Sequence, residues 1–307
     1  MLLRPVRDRD EDAEAVRFVA RAAYAGLAAP GTCAVGAAAG PPPPGRGPFG
    51  PRVPLPAPAA ERPLHTRHLA RTDPHGCLLA EDAAGRPVGA VLSTRREGTW
   101  ALSLLAVLPE AQGRGVGTEL LRRAAAYGRG CLRGIACGPP HPAVARVCRR
   151  AGFELHPAMR LAGTVSLARL AAPDGAVAEG GPRDRDLMDS VDRRLRGGAH
   201  GPDHEELLRH CRLLVTDGFT GSGYCYLRGD RVELLAATSR RLAVRLLTAA
   251  LGAFGEGRRV LVPHLTAGQQ WAVDVGLAAG LEAACAGWLC LRGMRPPSPY
   301  VPSEAFP

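Results

Sequence analysis

The chain has 307 residues and a net charge of +10, and all of its 39 basic residues are arginines because the sequence contains no lysine. This length is sufficient for two domains that each bury a core. The arginines are mixed with acidic residues, so the charge alone does not favour nucleic acid over another anionic ligand. No apolar stretch is long enough to span a bilayer, and the N-terminal residues lack the apolar core of a secretory signal. We expect a cytoplasmic protein without nucleic-acid or membrane partners. The sequence does not decide between a monomer and a homodimer.

The nine cysteines are an odd number and contain no Cys-x-x-Cys pair. This pattern fits neither a disulfide framework nor a zinc site, so we expect small core residues and no bound metal.

In the first third of the chain, the residue pattern predicts a strand and a helix before a long irregular segment, and a helix and a hairpin after it. The segment from 28 to 63 is rich in proline, glycine and alanine without periodicity, which is typical of an extended or flexible loop. The flanking elements are predicted as strand 2–6, helix 11–26, helix 64–71 and strands 77–81 and 88–94.

The stretch from Trp100 to Tyr127 carries the strongest functional signal. A near-continuous apolar run from Trp100 ends at Pro109, as in a strand buried on both faces. A helical spacing of apolar residues then begins at Val116 and stops at Gly128. The pattern predicts a strand, a glycine-rich turn and a helix in direct succession.

The turn between them contains three glycines within Gln112-Gly-Arg-Gly-Val-Gly117. Glycines allow a sharp turn and a close approach to the backbone, and free amides at a helix N-terminus favour a phosphate or pyrophosphate. The spacing is neither the dinucleotide-binding Gly-x-Gly-x-x-Gly nor a Walker loop, which requires a lysine.

Val107 to Gly117 resembles motif A of the GNAT acyltransferase superfamily, whose pattern is Gln/Arg-x-x-Gly-x-Gly/Ala. The resemblance implies an α/β (α+β) fold with a mixed twisted sheet flanked by helices. It also implies that the turn binds the pyrophosphate of acetyl-coenzyme A and that the preceding strand lines the pantetheine arm. The cofactor-binding residues implied are Leu105, Ala106, Val107, Gln112, Gly113, Arg114, Gly115, Val116, Gly117, Thr118 and His141.

The segment after this motif predicts strand 132–137, helix 141–151 and a closing strand 159–165. Its sequence from His141 to Phe153 resembles the Asn-x-x-Ala-x-x-Leu-Tyr-x-x-x-Gly-Phe ending of GNAT domains. His141 replaces the usual asparagine, and Cys148 replaces the tyrosine that commonly protonates the departing thiolate. Cys148 is therefore a candidate general acid, although a cysteine on a helix is more often a packing residue.

The second half repeats the first at a distance of about one domain. Leu104-Leu-Ala returns as Leu234-Leu-Ala, and Ala151-Gly-Phe-Glu returns as Ala279-Gly-Leu-Glu. We predict a GNAT domain at 1–171, a degenerate GNAT-like domain at 172–300 and a tail at 301–307. The second domain is predicted to contain helices 185–195, 242–254 and 269–279 and strands 213–216, 223–227, 232–237, 260–263 and 288–291.

The second copy of the motif has lost its turn. The connection between Ala236 and Leu246 is shorter than that between Ala106 and Leu120, and it contains no glycine. Bulkier side chains would cover the helix amides, so we predict that the second domain does not bind coenzyme A in this way.

His200, Asp203 and His204 invite a metal or acid–base interpretation. Gly201-Pro202 places His200 before a helix, so the two histidines do not share a helix face. We favour a structural role, with Asp203 in the first helical turn, and lining of the acceptor site as the second choice.

The resemblance implies direct transfer of an acyl group from a thioester to an amine, which requires a base and an oxyanion donor. The central strand carries no carboxylate and only Ser103 is polar. Candidate catalytic residues are therefore Cys148, Ser103 and Glu97, with Glu110 as a further carboxylate nearby. We predict an acetyl-coenzyme A-dependent N-acyltransferase acting on a small-molecule or peptide amine. The alternative is a non-catalytic acyl-coenzyme A sensor or scaffold, and a nucleic-acid binder has only the net charge in its favour.

Overall fold

The computed structural model describes residues 1–27 and 62–307. The predicted loop at 28–63 lies outside these ranges, except for its last two residues. The first half of the chain forms six strands and four helices within the described ranges. They are β1 (Leu2–Pro5), α1 (Asp10–Leu27), α2 (Pro63–Thr72), β2 (Leu78–Glu81), β3 (Pro87–Arg96), β4 (Thr99–Val107), α3 (Val116–Tyr127), β5 (Arg133–Gly138), α4 (Pro142–Arg150) and β6 (Glu154–Thr164).

The second half repeats this order and confirms the internal duplication inferred from the sequence. Its elements are β7 (Ala178–Glu179), α5 (Arg185–Arg196), α6 (Asp203–His210), β8 (Arg212–Gly218), β9 (Gly221–Arg228), β10 (Arg231–Ala237), α7 (Arg240–Phe254), β11 (Arg259–Thr266), α8 (Gln270–Ala278) and β12 (Glu282–Arg292). A short final strand, β13 (Tyr300–Val301), has no counterpart in the first half.

One sheet joins the two halves through an exchange of strands. Its order is β1-β2-β3-β4-β5-β12-β6-β11-β10-β9-β8-β7, with β13 added against β10. The last strand of each half therefore pairs with the fifth strand of the other: β12 with β5, and β6 with β11. The fold-class prediction of mixed sheets flanked by helices is confirmed. The predicted boundary at 171/172 falls between β6 and β7, and the sheet continues across it.

The core follows the apolar patterns of the sequence. Trp100 at the start of β4 is fully buried and stacks on Phe153 at a ring-centroid distance of 5.5 Å. Gly128 ends α3 where a Cβ would lie 2.5 Å from the Trp100 ring, so only glycine fits this contact. One core cluster contains residues of both halves, including Leu104 on β4 and Leu234 on β10.

A buried ion-pair network also joins the halves. Arg96 at the end of β3 lies 2.7 Å from Asp73 and 2.7 Å from Asp203 of α6. His68 of α2 contacts the same Asp203 carboxylate at 2.9 Å. Because all four side chains are buried, removing one would leave uncompensated charge in the interior.

No helix within the described ranges, 1–27 and 62–307, is long and apolar enough to cross a membrane.

Candidate acyl-coenzyme A site

The strand, turn and helix predicted from the motif are present with the expected bounds. Gly113 and Gly115 have φ angles of 74° and 82°, a conformation that other residues rarely adopt. A Cβ added at either glycine would meet no atom within 4 Å, so the turn faces open space. Gln112 fixes the turn by donating a hydrogen bond from Nε2 to the Val107 carbonyl at 3.1 Å. The glycines thus form an open cradle at the end of β4.

The first amides of α3 are available to a ligand. Gly115 is the N-cap residue and no side chain caps the helix. The first intrahelical bond at this end runs from the amide of Glu119 to the Gly115 carbonyl, so Val116, Gly117 and Thr118 have amides without helical acceptors. Together with the helix dipole these amides suit a phosphate group.

β4 changes its pairing at Ser103. It pairs in parallel with β5 only from Thr99 to Leu102. On the β3 side, Leu92 pairs with Leu104 and Ser93 with Leu102, which leaves Ser103 as the extra residue of a β-bulge. Within the described residues, the β4 edge from Ser103 to Val107 therefore has no strand beside it on the β5 side. Bulges often occur next to active sites because they redirect the backbone.

The predicted cofactor-binding residues lie along this edge and turn. Leu105 and Val107 are half-buried on β4, and Arg114 and Thr118 are exposed at the turn. His141 lies at the start of α4, where its Nδ1 accepts a hydrogen bond from the Ala143 amide at 3.2 Å. It thus serves as the N-cap of α4.

A cleft of about 1420 Å³ adjoins the turn. It lies between α1, the β2–β3 turn and the segment that connects β4 to α3. Leu108, Arg114 and Val116 line one side, and Phe18 and Arg86 line the other. The cleft gives an extended ligand room beside the glycine cradle.

Cys148 lies buried on α4 beside Cys290 of β12. A hydrogen bond from the Cys290 thiol lowers the pKa of Cys148, and burial opposes this effect. The sequence did not indicate this neighbour, because Cys290 comes from the exchanged strand of the second half.

Glu97 lies in the β3–β4 turn, at the opposite end of β4 from the glycine cradle. Its carboxylate contacts Arg193 of α5 at 2.7 Å and accepts a hydrogen bond from the Ala199 amide at 3.0 Å. The hydrogen bond from Arg193, followed by the hydrogen bond from the Ala199 amide, lowers the pKa of Glu97. The carboxylate therefore joins the two halves and is a weaker base than a free glutamate.

The end of the chain reaches the middle of β4, which the sequence gave no signal to predict. Ser103 donates a hydrogen bond from Oγ to the Ala305 carbonyl at 2.9 Å. Ser303, Ala305 and Phe306 are buried, and Arg196 donates to the Pro307 carbonyl at 2.6 Å. Residues 303–307, called the tail segment below, therefore pack between β4 and the second half.

The equivalent junction in the second half is closed. Only Thr238 and Ser239 connect β10 to α7, and the Ser239 hydroxyl caps the helix by accepting a bond from the Leu242 amide at 3.4 Å. β10 pairs with β11 at a single position, and β13 then occupies the β10 edge through Leu235 and Ala236. In the second half, β13 therefore occupies the position beside β10 whose equivalent beside β4 is open.

His200 and His204 converge on Asp192 of α5. His200 Nδ1 lies 2.6 Å and His204 Nε2 lies 3.1 Å from the same Asp192 oxygen, which also accepts the His200 amide at 3.0 Å. Burial raises the pKa of Asp192, but the charge of His200 and these bonds outweigh it and lower the pKa. The three side chains could also hold a metal ion, since their ligand atoms lie within 4.8 Å of one another. The hydrogen bonds account for their burial without one.

α6 begins at Asp203, as the Gly-Pro pair predicted, and His200 precedes it. Asp203 is buried and binds His68 and Arg96, a contact that sequence periodicity could not show.

The sheet order and the cradle on β4 and α3 define a GNAT fold, and comparison with known proteins agrees. Residues 48–153 match the model of the family described as Acetyltransferase (GNAT) family. The first half of the chain therefore contains a GNAT domain. No curated protein sequence matches the chain.

Solved structures extend the fold to the whole chain. A putative acetyltransferase from Pyrococcus horikoshii is 17% identical, with a TM-score of 0.70 over 100% of this chain and 95% of that one. A tandem GNAT protein from the clavulanic acid biosynthesis pathway is 14% identical, with a TM-score of 0.55 over 96% of this chain and 99% of that one. A GCN5-related N-acetyltransferase from Sphaerobacter thermophilus is 13% identical, with a TM-score of 0.56 and 95% of each chain covered. The whole chain therefore shares its fold with a protein described as a tandem GNAT protein.

Proposed function

We propose that this protein transfers an acetyl group from acetyl-coenzyme A to an amine, and that only the first half binds the donor. The observation that carries the proposal is the open cradle of Gly113 and Gly115 at the uncapped start of α3. The residues fit the ligand, because free amides suit the pyrophosphate and the unpaired β4 edge can accept hydrogen bonds from an extended pantetheine arm.

The chain's own contribution to catalysis would be mainly positioning. A thioester placed along Ser103 to Val107 would have its carbonyl beside the bulged backbone, where an amide can stabilise the developing negative charge. Holding thioester and amine together supplies much of the rate even without a strong base. Cys148 is the proposed proton donor to the departing thiolate, and its test is the loss of kcat in Cys148→Ala with an unchanged affinity for acetyl-coenzyme A.

The proposal is tested by incubating the full chain with acetyl-coenzyme A and a panel of amines, and by detecting acetylated product with mass spectrometry. Mass spectrometry is preferable to thiol reagents because the nine cysteines would react with them. Product formation with any amine, abolished by heat denaturation, supports an enzyme.

A non-catalytic sensor is the second candidate function. It is favoured by the absence of a carboxylate on β4 and by the burial of Cys148 against Cys290. A sensor would bind acetyl-coenzyme A with the same cradle but form no product with the whole panel, so binding and turnover measured together distinguish the two.

A further inference from the structure

A second cavity lies between α2, α6 and the tail segment, away from the glycine cradle. It has a volume of about 330 Å³, within the size range of small-molecule pockets. We call it the α2–α6 pocket. Its polar lining comes from Arg62, His65, Glu206, His210 and Arg228.

His65 is the most informative residue of this pocket. It is only 3% exposed, and neither ring nitrogen has a hydrogen-bond partner among the described residues. The ring packs edge-on against Phe306 at a centroid distance of 4.8 Å. Burial, followed by the charge of Arg62, lowers the pKa of His65 to about 3, so the neutral ring keeps one N–H donor. Because buried polar groups are almost always hydrogen-bonded, an unpartnered buried imidazole at the pocket favours a ligand with a polar group there.

The two arginines of the pocket have one buried carboxylate near them, Glu233. Within residues 1–27 and 62–307, no carboxylate forms an ion pair with Arg228. Burial, and then the charge of Arg62, lowers the pKa of Arg228. Arg62 pairs with Glu233 through both terminal nitrogens at 3.4 Å, so among the described residues Arg228 is the pocket arginine without an ion pair.

The carboxylate in the pocket does not change this balance. Glu206 lies 3.1 Å from Arg209, so its charge is already matched on α6. The remaining donors, two guanidinium groups and an imidazole N–H, suit an oxyanion.

The tail segment lies between the pocket and the bulge of β4. Ala305 and Phe306 form its inner wall, and the Ala305 carbonyl is hydrogen-bonded to Ser103 at 2.9 Å. A ligand in the pocket therefore lies one layer of chain from the strand along which the thioester is proposed to bind.

We propose that the α2–α6 pocket binds an acidic group, a carboxylate or a phosphate, of a small ligand through Arg228 and His65, with Arg62 beside them.

The test measures binding without requiring turnover. Matched pairs of probes are titrated into the full chain and followed by ligand-observed NMR: L-leucine against L-leucinamide, and O-phosphoethanolamine against ethanolamine. We expect saturable binding of an acidic member and not of its neutral partner. The pair that shows the preference identifies carboxylate or phosphate as the group bound.

Arg228→Gln should weaken this binding by about 10- to 100-fold, the loss expected for a charge-assisted hydrogen bond. Arg240→Gln is the matched control, because Arg240 is exposed on α7 in the second half and outside the pocket. Circular dichroism checks that both variants fold.

The proposal is overturned if no acidic probe binds, or if Arg228→Gln binds the acidic probe as tightly as the Arg240→Gln control. Acetyl-coenzyme A binding is measured in parallel on the same samples. If it persists while the acidic probes fail, the proposed function stands and only the pocket assignment falls. If wild-type chain binds an acidic probe but no acetyl-coenzyme A, the pocket stands and the proposed function fails.

Discussion

The two junctions between the central strand and the following helix have diverged from a common plan. In the first half, the glycine turn leaves the start of α3 uncapped, and the edge of β4 has no strand partner on the β5 side from Ser103 to Val107. In the second half, Ser239 caps α7 and β13 covers the edge of β10. A duplicated fold can therefore keep its packing while one copy loses the features that admit a ligand.

The largest expected effect comes from filling the first junction. Gly115→Glu/Gly117→Glu forces a glutamate into the left-handed backbone conformation of Gly115 and places carboxylates where phosphates would bind. The affinity for acetyl-coenzyme A should therefore fall by at least about 100-fold. Equilibrium binding by fluorescence or calorimetry measures this loss. Arg240→Glu is the matched control, because it adds an acid to the first turn of α7, and it should leave affinity unchanged.

A second prediction tests whether the segment that closes the second junction is part of the core. Tyr300 is 1% exposed on β13, so Tyr300→Ala should lower the free energy of unfolding by about 3–5 kcal/mol, as for other large aromatic truncations. Urea denaturation followed by circular dichroism measures the change. A change near zero would mean that β13 is a loosely attached cover and that the second junction is closed only by Ser239.

A third prediction concerns the network that holds the two junctions in one body. Asp203→Asn removes a buried carboxylate from Arg96 and His68 and should cost about 3–5 kcal/mol of unfolding free energy at neutral pH. Asp174→Asn, which removes an exposed partner of Arg241 and Arg245, should change stability far less. Equal effects of the two substitutions would contradict the importance of the buried network.

The same network predicts a pH dependence. Burial raises the pKa of Asp203, but the hydrogen bond from His68 and the charge of Arg96 outweigh it and lower the pKa to about 2 from its ordinary 3.8. Because the folded pKa is the lower one, the unfolded chain binds more protons between these values. The stability difference between wild type and Asp203→Asn should therefore be constant above about pH 4 and shrink as the pH falls toward about 2. Urea titrations at several pH values check this. A difference that grows on acidification would contradict the sign.

The smallest effect is expected at Ser103, the bulge residue of the first junction. Its hydroxyl makes one half-buried bond to the Ala305 carbonyl, so Ser103→Ala should cost about 1 kcal/mol of stability. If the bulge acts through its backbone, kcat of the proposed reaction should change little. A large fall in kcat with unchanged acetyl-coenzyme A affinity would instead place the hydroxyl in the chemistry.

Sequence patterns predicted most of what is local. The bounds of α3 follow from the apolar spacing between Val116 and Gly128, and the missing glycines after Ala236 indicated a changed second junction. The position of α6 followed from Gly201-Pro202, because proline stops the preceding segment from continuing as a helix.

Long-range pairing was not predictable from the same patterns. The exchange of β6 and β12 depends on which apolar strands meet, and strands of similar composition give no signal of partner. The bulge at Ser103, the covering of β10 by β13 and the burial of the tail segment depend on contacts between residues far apart in the chain. The α2–α6 pocket was missed for this reason, since it is assembled from four separate regions: α2, α6, the end of β9 and the tail segment.

The most direct test of the proposed asymmetry is calorimetric titration of the full chain with acetyl-coenzyme A. The two halves share one sheet, so the intact chain is the appropriate sample. We expect micromolar binding at one site per chain, lost in Gly115→Glu/Gly117→Glu and kept in Arg240→Glu. Two equivalent sites per chain, or one site that survives the glycine substitutions, would contradict it.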